Sequence, residues 1–176
     1  ESDPEAVAAF ADRMVVLDLF CEARPMWNQT EAFCGKPWLW CNIQNFGNTV
    51  FLGGPLNKIA GDLPAARRDP NSGQLVGLGF VNEGLGYDPA VLDLMFEMAW
   101  RDEPVAVETW LEQYAHHRYG RANTGAAGAW RHLASTAYGG PASARSIIDH
   151  IPRLSGGPSG HSSPQLVAAW RSLLEA

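Results

Sequence analysis

LVGLGFVNEG, residues 75–84, followed by Asp88-Pro89 and an apolar stretch to Trp100, is the part of the chain that decides the fold class. Leu75 to Val81 reads as a strand. Gly77 and Gly79 recur at strand period, which lets a neighbouring backbone or a ligand approach one face closely. Asp88 then caps a helix that starts on Pro89 and carries Leu92, Met95, Phe96 and Ala99. A strand, a short Gly-containing turn and a capped helix make one βα unit.

Two more such units lie upstream. Asp3-Pro4 caps a helix with Val7, Phe10, Ala11 and Met14 on one face. Met14 to Phe20 (MVVLDLF) has the composition of a strand buried on both faces, interrupted only by Asp18. A loop through Pro25 and Gly35-Lys36-Pro37 leads to a second strand, Trp38 to Phe46 (WLWCNIQNF). Helical signals follow from Phe51 to Ala60 and from Pro64 to Arg68.

Downstream of about residue 103 no strand signal remains. Amphipathic helices are expected over Pro104–Tyr119, Ala126–Tyr138 and Pro164–Leu174, with Gly120 as a C-cap and a Gly/Ser/Pro-rich loop over 141–163. The sequence therefore predicts α/β structure over residues 1–103 and an all-α region over 104–176.

The chain of 176 residues is 46% hydrophobic and 18% charged, which suits a folded core rather than disorder. No apolar run is long enough to span a bilayer, and Glu1-Ser2-Asp3-Pro4 resembles no signal peptide. Thirteen basic against nineteen acidic residues, net −6, argue against nucleic acid as a partner. Cys21, Cys34 and Cys41 form no CxxC pair, and His116 and His117 are adjacent. The three thiols are expected to be buried apolar groups, and no metal or cofactor is expected. Seven Trp residues suit either sugar stacking or core anchoring.

Repeated βα units gather functional residues at the carboxyl ends of their strands. Three such ends carry polar groups: Asp18 to Glu22, Gln44 to Asn48, and Asn82-Glu83-Gly84. Glu83 follows an apolar strand amid glycines, where a carboxylate serves as nucleophile or general base. It equally suits an acid flanking the positive end of the next helix. Asp18 lies inside an apolar strand and must be either paired or part of a pocket. Asn45 offers a donor and an acceptor for a sugar hydroxyl, and Trp38 and Trp40 project to one face.

The blocks RMVVLDLFCEARPMW, KPWLWCNIQNFGN and LVGLGFVNEGLGYDPAVLDLMFEMAWRDEPV, in this order and spacing, resemble the α-N-acetylglucosaminidases of glycoside hydrolase family 89. The similarity continues more weakly through LEQYAHHRYG, GAAGAWRHLASTAYG and AAWRSLL. It implies the C-terminal part of a (β/α)8 TIM barrel, its last three βα units, joined to the start of an all-α domain. It also implies retaining hydrolysis of a terminal α-linked N-acetylglucosamine by two glutamates, on heparan-sulfate-type or other host glycans. The compartment implied is extracellular, periplasmic or lysosomal.

Glu83 in VNEG matches the family's nucleophile; the acid/base belongs to an earlier strand outside these residues, so the segment alone is expected to be inactive. Asn45 and Trp40 are expected to line the sugar pocket, with Asp18 and Glu22 as further substrate contacts. One departure is that Asn48 follows Gly47, where the family commonly has a second glycine. Two rivals stand beside this reading: a non-catalytic carbohydrate-binding or scaffold domain, and a barrel glycosidase with another sugar specificity.

Overall fold

A computed structural model describes residues 14–44, 53–84, 86–139 and 163–176. The expected first helix, Asn45 with the rest of the NFGN turn, and most of the Gly/Ser/Pro-rich loop lie outside the described residues.

Among the described residues the sheet has three parallel strands in the order β1 (Val16–Asp18), β2 (Trp38–Gln44) and β3 (Leu75–Asn82). Helix α1 (Leu56–Arg68) connects β2 to β3, and α2 (Pro89–Met98) follows β3. Then come α3 (Val107–Tyr119), α4 (Thr124–Ala134) and α5 (Ser163–Leu174), with no strand among them. Asp88 caps α2 as its sequence predicts, accepting from Ala90 N–H at 3.0 Å. Gly120 ends α3 in the left-handed conformation.

The strands have two unlike faces. Trp38 and Trp40 point into a core built with Leu56, Ile59 and Leu63 of α1 and Val91, Leu94 and Met95 of α2. Leu39 and Cys41 alternate to the other side, where Gly77 and Gly79 of β3 lie beside them. We call this the open face. The expectation that β1 is buried on both faces needs correcting, because Val15, Leu17 and Leu19 are each about half exposed.

Two further expectations change, at α1 and at Cys34. Helix α1 starts at Leu56 and runs through Pro64 without a break, because Leu63, Pro64 and Ala66 are all buried and hold that turn against the core. The loop after β1 contains a left-handed turn: Glu31, Ala32, Phe33 and Cys34 all have φ between 49° and 56°. Such a conformation costs roughly 1–2 kcal/mol per residue. Thr30 offsets part of it, its Oγ1 accepting from Phe33 N–H at 3.3 Å and donating to Met26 O at 2.9 Å. This turn leaves Cys34 exposed, whereas Cys21 and Cys41 are buried as expected.

The core continues without interruption past residue 103. Trp110, Tyr114, Trp130 and Tyr138 belong to the same apolar cluster as Leu56 and Met95. Trp110 and Trp130 are thus core anchors of the helical region. Trp170 is not: it is 65% exposed on α5, while Ala169 is the buried residue of that turn.

Candidate functional site

Glu83 is the first residue beyond β3. Its N–H donates to Gln44 O at 3.2 Å, so the β2–β3 ladder extends one step past the strand. Alternation from Gly77 and Gly79 through Val81 puts Glu83 in phase with the open face, at the carboxyl end of the strand. It is exposed there.

The strand glycines make room for side chains rather than for backbone. A Cβ on Gly79 would lie 2.5 Å from Cys41 Sγ, and one on Gly77 3.1 Å from Leu39 Cδ2. Central β2 therefore lays Leu39 and Cys41 over the two β3 glycines, and Ile43 beside Val81, on the side that Glu83 continues. Burial, with Asp18 and then Glu22 nearby, pushes the Cys41 thiol up to about 11, so it stays a neutral thiol.

Strand β1 stops at Asp18, opposite Trp40, four residues before β2 ends at Gln44. Other groups take over. Cys21 N–H donates to Cys41 O at 3.1 Å, and the carboxyl of Glu22 accepts from Ile43 N–H at 3.1 Å. Glu22 is buried, and that burial raises its carboxyl to about 7 against hydrogen bonds from its own N–H, Ile43 N–H and the Asn42 side chain. Its Oε2 and the Oδ1 of Asn42 are both buried with no partner among the described residues.

Asp18 is 4% exposed, and its Oδ2 accepts from Met26 N–H at 2.8 Å and Trp27 N–H at 2.9 Å. It is paired, but with backbone: it holds the β1–β2 loop so that Trp27 stacks on Trp38 at 5.7 Å. Asp18 thus bonds to the backbone of the β1–β2 loop, and Glu22 to the backbone of β2.

Trp40 needs a correction. It is 1% exposed in the helix-facing core, on the opposite side of β2 from Leu39 and Cys41. Its indole anchors the sheet to its helices. The strand period itself held the signal for the residues missed: if Trp38 and Trp40 share the buried face, Cys41 and Ile43 share the other. Asn45, expected to face the same pocket as Glu83, lies outside the described residues. Among the described residues no group of three His, Cys, Asp or Glu side chains is placed to hold a metal ion.

Gln44 opens one of the three polar strand ends read from the sequence, where it has no assigned role. It is 5% exposed, and its side-chain Oε1 accepts from Asp88 N–H at 2.9 Å while its backbone O holds Glu83. The Asp88 carboxylate in turn accepts from Gly53 N–H at 3.0 Å and from Tyr138 Oη at 2.8 Å, besides capping α2. Burial lifts this carboxyl above its ordinary value, and the four donors around it oppose the lift.

Residues 5–102 match the domain described as Alpha-N-acetylglucosaminidase (NAGLU) tim-barrel domain, and residues 110–176 match the corresponding C-terminal domain. The chain belongs to the α-N-acetylglucosaminidase family. Human Alpha-N-acetylglucosaminidase is 37% identical over 169 residues, 92% of this chain and 23% of the human protein.

A family 89 glycoside hydrolase from Clostridium perfringens, solved with 2-acetamido-1,2-dideoxynojirmycin, superposes with a TM-score of 0.78 at 30% identity. A form of the C. perfringens enzyme with two glutamates changed to glutamine, solved with its substrate GlcNAc-α-1,4-galactose, has a TM-score of 0.78 at 29% identity. Each superposition covers 95% of this chain and 20% of the enzyme. The chain thus spans about a fifth of the length of the relatives it matches.

Proposed function

We propose that the protein carrying this segment is a retaining glycoside hydrolase that removes non-reducing terminal α-linked N-acetylglucosamine from glycans, with Glu83 as its nucleophile. The observation that carries the reading is the position of Glu83: one residue past a strand's carboxyl end, on the face cleared by Gly77 and Gly79. The related enzyme that holds GlcNAc-α-1,4-galactose with two glutamates replaced fits a two-carboxylate mechanism. On this reading β1, β2 and β3 are the last three strands of an eight-stranded barrel. The open face is its interior, and the helices after about residue 103 begin a second domain.

Glu83, ionised, attacks the anomeric carbon while a second carboxylic acid, contributed from outside this segment, protonates the departing glycosidic oxygen. Water then cleaves the glycosyl-enzyme with the same second group acting as base. The two carboxyl groups stand roughly 5–5.5 Å apart in such enzymes. Cys41 and Ile43 contribute an uncharged wall beside Glu83, and Asn45 a hydrogen-bonding group for a sugar hydroxyl. Glycans of this kind are turned over in extracellular, periplasmic or lysosomal compartments, which is where the protein would work.

The test is Glu83→Gln in the full-length protein, assayed on an aryl α-N-acetylglucosaminide against aryl α- and β-glucosides. Turnover of the first substrate alone, abolished by the substitution with folding unchanged, is the expected result. Retained turnover removes Glu83 as nucleophile, and hydrolysis of the glucosides instead removes the sugar assignment.

A further inference from the structure

Glu83 is the first residue beyond β3, and Asp88 caps the helix that follows. One residue of β2 bonds to the backbone of both. Gln44 accepts Glu83 N–H on its backbone oxygen at 3.2 Å and Asp88 N–H on its side-chain oxygen at 2.9 Å.

The far end of this clamp is tied to further groups through the Asp88 carboxylate. Its oxygens accept from Gly53, Ala90 and Val91 N–H and from the phenol of Tyr138. Tyr138 comes from beyond α4, in the all-helical part of the chain. The near end is held as well: Glu22 fixes Ile43 N–H, one residue before Gln44.

We propose that Gln44 is a positioning residue for the reaction, and that Tyr138 acts through Asp88 on the same clamp. The inference rests on the reading of Glu83 as nucleophile. A retaining pair tolerates little error in the separation of its carboxyl groups, and a misplacement of about 1 Å costs on the order of a hundredfold in rate. Gln44 sets where the turn leaves the sheet and where it rejoins α2. The helical region therefore contributes to the geometry of the nucleophile without touching substrate.

The experiment uses the full-length protein and compares Gln44→Met, Tyr138→Phe, their double variant and Glu83→Gln. Each is assayed for kcat, KM and the acid limb of kcat/KM, well below its unfolding midpoint. Gln44→Met keeps side-chain length and removes the acceptor. It is expected to lower kcat about tenfold and shift the acid limb, with KM within about twofold.

Tyr138→Phe is expected to lower kcat about threefold, and the double variant to fall no further than Gln44→Met, since both act through one contact. Wild-type kcat in folded Gln44→Met overturns the proposal, as do singles whose effects multiply or a loss confined to KM. If Gln44→Met does not fold, Tyr138→Phe decides alone: unchanged kcat overturns the clamp and a threefold loss with unchanged KM supports it. Glu83→Gln separates the two ideas. Turnover in that variant defeats the nucleophile assignment. A dead Glu83→Gln beside a fully active Gln44→Met defeats only the clamp.

Discussion

The phenol of Tyr138 donates to both carboxylate oxygens of Asp88, at 2.8 Å to Oδ2 and 3.1 Å to Oδ1, and both side chains are buried. Burial and the neighbouring carboxylate push the phenol's pKa up, so it remains a donor throughout the working range. The contact thus joins the cap of a helix beside the sheet to the turn that follows α4 far along the chain. A neutral donor to a charged, buried acceptor is worth about 1.5–3 kcal/mol. Tyr138→Phe should lower folding stability by that amount, seen as a drop in urea midpoint with little change in slope. A loss under about 0.5 kcal/mol would show that water replaces the phenol.

Glu22 makes stability depend on pH with a sign opposite to that of a salt-bridged acid. Its folded value is raised from 4.5 to about 7, so the folded state holds the proton more tightly than the unfolded chain does. That contribution is complete below about pH 4.5 and is lost as pH rises through 7, roughly 3 kcal/mol in all. Glu22→Gln, a permanent stand-in for the protonated acid, should flatten the decline. Urea midpoints at about pH 5 and pH 8 measure it. An equally steep decline in the variant would assign it to another group.

Gly79→Ala puts a Cβ 2.5 Å from Cys41 Sγ but 3.6 Å from its Cβ. Overpacking of this sort costs about 1–3 kcal/mol. Cys41→Ala removes the sulfur and should relieve most of that cost, so the two substitutions together are less damaging than their sum. Additive losses would mean that Gly79 is needed for its backbone and not for the space.

Trp40→Ala should act on stability first. The ring is 1% exposed among α1 and α2, and deleting such a side chain costs about 3–5 kcal/mol. Under conditions where the variant is folded, KM for an aryl α-N-acetylglucosaminide should stay within about twofold. A large rise in KM at full folding would return Trp40 to the sugar site.

Much of the architecture was legible because it rests on short-range rules. Asp88-Pro89 begins a helix, Gly120 ends one, and Val107, Trp110, Leu111 and Tyr114 recur at helical spacing and are all buried. The errors fall where one position answers to a distant neighbour. Pro64 stays inside α1 because its turn is packed against the core, which outweighs the local tendency to break. Trp170 satisfies the same periodicity as Trp130 yet remains exposed, because the buried stripe on α5 passes through Ala169.

At the site the division is sharper. The sequence by itself determined that a carboxylate, Glu83, follows an apolar strand between glycines, and that Trp38 and Trp40 share a face, since the strand period is two. Alternation separates two faces without naming the buried one. Only the tertiary structure decided that the indoles turn to the helices and Cys41 and Ile43 to the side of Glu83. Only it joined Gln44 to Asp88 and Asp88 to Tyr138, 44 and 50 residues apart along the chain. Contacts of that separation leave no local pattern, because the hydrogen-bonding groups meet only after the sheet and helices have packed.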